Sequence, residues 1–162
     1  MSSETTCFDV KSYSFEDILA EKGYLVYTNV GVSMLPLLRQ RRDIIEIRPL
    51  SGRAKKYDAV LYKAGDKYIL HRVLKVRPRD YVICGDNNMW CEYGIRDDMI
   101  LGVMTRVIRN GKSIYSTDWK YKLYVHIWCD FYPIRVAILF AKKMIKAMII
   151  RMKVFFHQKK RI

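Results

Sequence analysis

Between residues 24 and 116 the chain is a succession of short β-rich runs separated by turn signals, with little helical pattern between them. That alternation confines the fold more than any other feature. Residues 24–28, 44–48, 58–62, 68–76, 81–84, 99–108 and 113–116 read as strands. Ile44-Ile45-Glu46-Ile47-Arg48 alternates as a half-buried strand should. Ala64-Gly65-Asp66 joins two runs as a hairpin, Pro78-Arg79-Asp80 makes the next turn, and Asn110-Gly111 is a strong tight-hairpin signal. Six or seven strands of this kind predict a small, mainly antiparallel β domain and disfavour a parallel nucleotide-binding sheet. Ahead of them, Ser14 is a fair N-cap with Asp17 three residues on. Phe15, Ile18 and Leu19 form an apolar face, and Gly23 ends the short helix. The chain thus divides into an N-terminal segment (1–23), a β domain (24–117) and a C-terminal tail (118–162).

The 162 residues suffice for one domain with a real core, and 51% hydrophobic content argues against disorder. The net charge of +14 is unevenly placed. Residues 134–162 hold nine cations and no acid, which leaves +5 for the first 133. Basicity is a property of the tail, so no specific nucleic-acid partner is expected of the domain. The first 13 residues carry Glu4 and Asp9 and no apolar run. The expectation is no signal peptide and no N-terminal transmembrane anchor, hence a cytoplasmic or peripheral membrane protein. Cys7, Cys84, Cys91 and Cys129 match no common zinc spacing and read as free thiols; neither metal nor cofactor is expected.

Chemistry concentrates at Gly31-Val32-Ser33-Met34-Leu35-Pro36. Gly31 frees the backbone for a sharp bend after a strand, and Pro36 suits the first turn of a short helix. A serine lifted off a strand end with its own N–H outward is what a nucleophile needs, because attack creates an oxyanion. The plainer reading is a helix cap. His71 lies 38 residues on, in an alternating strand where it shares a face with Val73 and Lys75, and Leu70, Arg72 and Leu74 share the other. An imidazole titrates near neutrality and can take and return the serine proton. An acid would fix its tautomer. Asp86, within Gly85-Asp86-Asn87-Asn88, and Glu92 compete for that part, while Asp97 and Asp98 read as a polar turn. Lys63 and Lys67 flank an exposed hairpin turn, too solvated for a base lysine.

Gly31-Val32-Ser33-Met34-Leu35-Pro36, Ile69-Leu70-His71-Arg72-Val73-Leu74-Lys75-Val76 and Gly85-Asp86-Asn87-Asn88, in that order, resemble the signal peptidase I family, whose wider clan includes the self-cleaving repressors. The likeness spans about residues 24–108 and is nearest to the histidine variant of endoplasmic-reticulum and archaeal enzymes. It implies that family's small β fold and a serine endopeptidase acting on a leader or signal peptide, with small side chains before the scissile bond. Ser33 would be the nucleophile and His71, where other branches place a lysine, the general base. In the histidine branch an aspartate six residues past the motif's own acid completes the triad; here that position is Glu92, and Asp86 is the motif acid. Relatives often carry a hydroxyl residue where this chain has Gly31, so oxyanion duty would fall more on the backbone around Ser33 and Met34. The Ala64-Gly65 bond is of the type cut in self-cleaving relatives, but it sits in the hairpin between Ser33 and His71, where coincidence is the better reading.

The tail combines an aromatic, cationic stretch (119–128) with a long helix from Pro133 to about Phe156. At 100° per residue Arg135, Lys142, Lys146 and Lys153 form one stripe, with Ile134, Ile138, Ala141, Ile145, Met148 and Met152 opposite. No uncharged run within it is long enough to cross a bilayer. Such a helix predicts in-plane association of residues 134–156 with an anionic membrane surface, and a non-enzymatic module that binds a membrane surface, or a nucleic acid, through the basic tail is the alternative to the peptidase.

Overall fold

A computed structural model of the chain describes residues 13–159; Cys7, the acid-bearing start and the cations Lys160 and Arg161 lie outside the described residues. Among the described residues the protein is mainly antiparallel β sheet, with eight strands and three α-helices. Helix α1 (Phe15–Lys22) is capped as its sequence predicts: the Ser14 side chain accepts from Asp17 N–H, the Asp17 carboxylate accepts from Ser14, and Gly23 closes the helix at φ 71°.

The strands are β1 (Leu25–Thr28), β2 (Ile44–Arg48), β3 (Ala59–Ala64), β4 (Lys67–Val76), β5 (Tyr81–Cys84), β6 (Glu92–Ile95), β7 (Ile100–Arg109) and β8 (Lys112–Tyr115). They form one sheet in the order β1-β2-β7-β3-β4-β5-β6, with β8 on β7. Asn110 and Gly111 both take positive φ, as the tight β7–β8 turn requires.

The sheet buries both faces, because alternate residues of its central strands feed two separate cores. Leu61, Leu70, Ile45, Ile47 and Met104 enter the first, which also takes Leu19 and Leu25. Val60, Tyr62, Val73, Tyr81 and Ile83 build the second. Two elements exceed the sequence expectation. Strand β6 follows the Gly-Asp-Asn-Asn turn and pairs Glu92 with Ile83. Helix α2 (Trp119–Asp130) packs Tyr121, Val125 and Cys129 on the first core and precedes α3 (Tyr132–Lys159). Among the described residues no helix is long and apolar enough to cross a membrane.

Candidate active site

The serine turn hangs from β1. Asn29 N–H donates to Asp43 O (3.0 Å) and Arg41 N–H to Asn29 O (2.8 Å), which close the loop at its neck. Gly31 sits at φ 110°, a conformation that side-chain-bearing residues resist. Beyond it the chain makes consecutive turns rather than the short helix expected, with the Leu38 N–H to Met34 O bond (2.8 Å) standing alone as a helical one. Pro36 has no N–H with which to extend a ladder, and the run is too short to propagate. Met34 and Leu38 anchor the turn by burying their side chains in the first core. The fully buried Asp43 carboxylate accepts from Arg39 N–H (2.8 Å) and pairs with Arg109, which donates in turn to Leu37 O (2.5 Å). Thus held, Ser33 accepts Asn87 N–H at its carbonyl (2.7 Å). Among the described residues neither the Ser33 hydroxyl nor its N–H has a hydrogen-bond partner, so a hydroxyl and a backbone donor are both unspent.

The β3–β4 register pairs Val60 with His71 and so brings Tyr62 to the same face, one diagonal step away. His71 Nδ1 lies 2.7 Å from Glu92 Oε1. The Tyr62 hydroxyl donates to the other Glu92 oxygen and lies 3.3 Å from Nδ1. Burial, helped by the bond to Glu92, pushes the Tyr62 phenol well up, so it keeps the proton it donates. With that proton committed, the network assigns Nδ1–H to Glu92 and leaves Nε2 with a free lone pair. The imidazole is 5% exposed. Burial holds its pKa below the ordinary 6.5, and the Glu92 charge offsets this only in part, so the ring is neutral at pH 7.

His71 Nε2 lies against Gly85. A Cβ on this glycine would stand 2.7 Å from Ser33 O and 2.9 Å from His71 Nε2. The Ser33 carbonyl, the Asn88 side-chain amide and the imidazole edge therefore all crowd the α-carbon of Gly85. No hydrogen bond joins Ser33 Oγ to Nε2 among the described residues, and such contacts commonly tighten when substrate enters. Were Ser33 and His71 to act together, Gly85→Ala should lower kcat/KM about 10²-fold by displacing the Ser33 turn or the imidazole. Steady-state kinetics with near-UV circular dichroism would check it; unchanged kinetics would mean that the two groups do not act together.

Of the two acids left open by sequence, Glu92 stands behind the imidazole, and Asp86 does not. The Asp86 carboxylate forms a two-pronged pair with Arg72 Nε and Nη2 (both 2.8 Å), on the side of β4 opposite His71, with both side chains wholly buried. Tyr124 donates to the same carboxylate (3.0 Å) and Trp128 Nε1 to the Asp86 carbonyl (2.7 Å). Arg72 is completed by Tyr57 O (2.8 Å) and the Tyr121 hydroxyl (3.2 Å). Asp86 thus braces the loop that carries Gly85 and Asn87. Lys63 is exposed and ion-paired with Glu16 (2.7 Å), and Lys67 is exposed, so neither serves as a buried base.

A cleft of about 440 Å³ opens beside Ser33, walled by Tyr27, Asn29 and Val30 on one side and Tyr68, Ile69 and Leu70 on the other, with Phe15 at its end. Phe15 stacks on Tyr68 (centroids 4.5 Å apart) and leans on Tyr27 (5.2 Å). Glu16 fastens α1 across the cleft by accepting from Lys63 and from the Tyr68 hydroxyl (2.5 Å). The sequence reading missed Tyr62 and the cleft-forming part of α1. The strand register was the available signal for Tyr62, since it follows directly from the Ala64-Gly65-Asp66 hairpin. No protein-family model matches the chain, and no curated protein matches its sequence.

Proposed function

We propose that the protein is a serine endopeptidase of the signal peptidase type, its β domain of the kind found in that family and the self-cleaving repressors. One observation carries the reading: a neutral, Glu92-backed imidazole whose free nitrogen packs on Gly85 beside the Ser33 carbonyl. Ser33 Oγ attacks the scissile carbonyl as its proton passes to His71 Nε2, and Glu92 stabilises the imidazolium that forms. The oxyanion accepts the unspent Ser33 N–H. Collapse breaks the C–N bond, His71 returns the proton to the leaving amine, and an ester to Ser33 remains. Water, deprotonated by His71, then hydrolyses that ester and restores the hydroxyl. The apolar cleft beside Ser33 suits the short side chains preceding the cut in a leader peptide, and the outer edge of β1, unpaired among the described residues, offers main-chain partners to an extended substrate.

Purified wild-type protein and Ser33→Ala, each incubated with leader peptides bearing small residues before the cut site, test the proposal by mass spectrometry of the products. Cleavage by the wild type alone is expected. Equal cleavage by both, or none by either across a panel of such peptides, would end it.

A further inference from the structure

We propose that the outward faces of α2 and α3 form one docking surface for an anionic phospholipid membrane, a property that stands whether or not Ser33 cuts peptides. Helix α2 is apolar on two sides. Its inner row, Tyr121, Val125 and Cys129, is spent in the core. Its outer row, Trp119, Leu123 and Ile127 with Phe131 just beyond, recurs every four residues and is at least half exposed throughout. In α3 Arg135 and Leu139 turn inward and are buried, whereas Ile134, Ile138, Ile145, Met148 and Met152 form a row about a third of a turn away and are exposed. Large apolar side chains repeated in this way over two successive helices exceed the scattered exposure normal for a soluble surface.

Charge selects the occupant. Helix α3 contains seven cations and no acid. Lys142, Lys143 and Lys146 line a hollow of about 290 Å³ with Leu139, Asn87 and Met89, on the body side of the helix. With the apolar side lowered into the acyl boundary, these ammonium groups reach the headgroup level, the arrangement of an in-plane amphipathic helix. A second copy of the chain on this face would bring two acid-free α3 helices together, like charge against like. A nucleic acid would match the lysines but leave Trp119, Leu123, Ile127 and Phe131 against phosphate. Anionic lipid satisfies both features. The surface lies directly beyond the Gly85–Asn88 loop, because Arg135 donates to Asn88 O (3.3 Å) and Tyr132 to Met89 O (2.9 Å).

The test uses the full chain and sedimentation with vesicles of phosphatidylcholine, with and without phosphatidylglycerol, and no peptide substrate. Binding to the anionic vesicles alone is expected, weakening as salt rises. Neutralising Lys142, Lys146 and Lys153 together to Gln should lower the partition coefficient about 100-fold. Replacing Ile145 and Met148 with Asn should lower it about tenfold or more, with far-UV circular dichroism unchanged because both side chains are exposed. Ser33→Ala should bind as wild type, which separates this result from the fate of the peptidase reading. Failure to pellet with anionic vesicles at low salt, equal binding to both vesicle types, or wild-type binding by the triple Lys variant would overturn the proposal. So would a dimer in sedimentation velocity that Ile145→Asn/Met148→Asn abolishes without any lipid binding by the wild type.

Discussion

Glu92→Gln is expected to lower kcat about 10²–10⁴-fold with little change in KM. The variant preserves shape but removes the charge that stabilises the imidazolium, and it sets an amide N–H₂ against either the Tyr62 hydroxyl or Nδ1–H. The effect falls on the transition state and not on substrate binding, so KM stays. The same pair fixes the pH profile. In the proposed mechanism His71 works as a neutral base, so kcat/KM should fall as pH drops through its pKa in the free enzyme. Burial places that pKa below 6.5, and Glu92 is the main influence raising it. The wild-type acid limb should therefore lie below pH 6.5, and Glu92→Gln should move it lower still. Glu92→Asp, one methylene shorter, should recover part of the loss. A profile with no acid limb would remove His71 from the mechanism, and full activity in Glu92→Gln would remove Glu92.

Asp86→Ala is expected to destabilise the protein by about 3–5 kcal/mol, because it leaves the Arg72 guanidinium wholly buried without its counter-charge. For a domain whose total stability is about 5–15 kcal/mol, that loss is enough to unfold much of the population near its working temperature. Urea unfolding measures it as a lower midpoint. The double variant Asp86→Leu/Arg72→Met should be more stable than Asp86→Ala, since it leaves no charge unpaired. If Asp86→Ala kept wild-type stability and lost only cleavage, the carboxylate would be catalytic after all.

Most of the sheet was legible because its punctuation is local. Asn110-Gly111 names its own turn, and Ile44-Ile45-Glu46-Ile47-Arg48 wears its alternation openly. Strand β6 was not, since Glu-Tyr-Gly-Ile is short and carries Gly94 at φ 76° inside it. It exists because Tyr81 and Ile83 offer it partners, a fact of tertiary pairing. Helix α2 hid for a different reason. With Tyr121, Val125 and Cys129 inside and Trp119, Leu123 and Ile127 outside, its apolar residues surround the axis and blur the period that marks an amphipathic helix. The serine, the histidine and two competing acids were visible as residue types at particular places in the chain. Which acid stands behind the imidazole depends on side-chain direction on either side of β4, and spacing along the chain carries no trace of that. Arg72 settles it by occupying Asp86.

Trp128 and Tyr124 reach from α2 to the Asp86 carbonyl and carboxylate, and Arg135 reaches from α3 to Asn88. The helices are thus a buttress for the loop that packs against the Ser33 carbonyl and the imidazole, as well as a basic appendage. A fragment halted at residue 117 would retain Ser33, His71 and Glu92 and lose the masonry behind the loop they share.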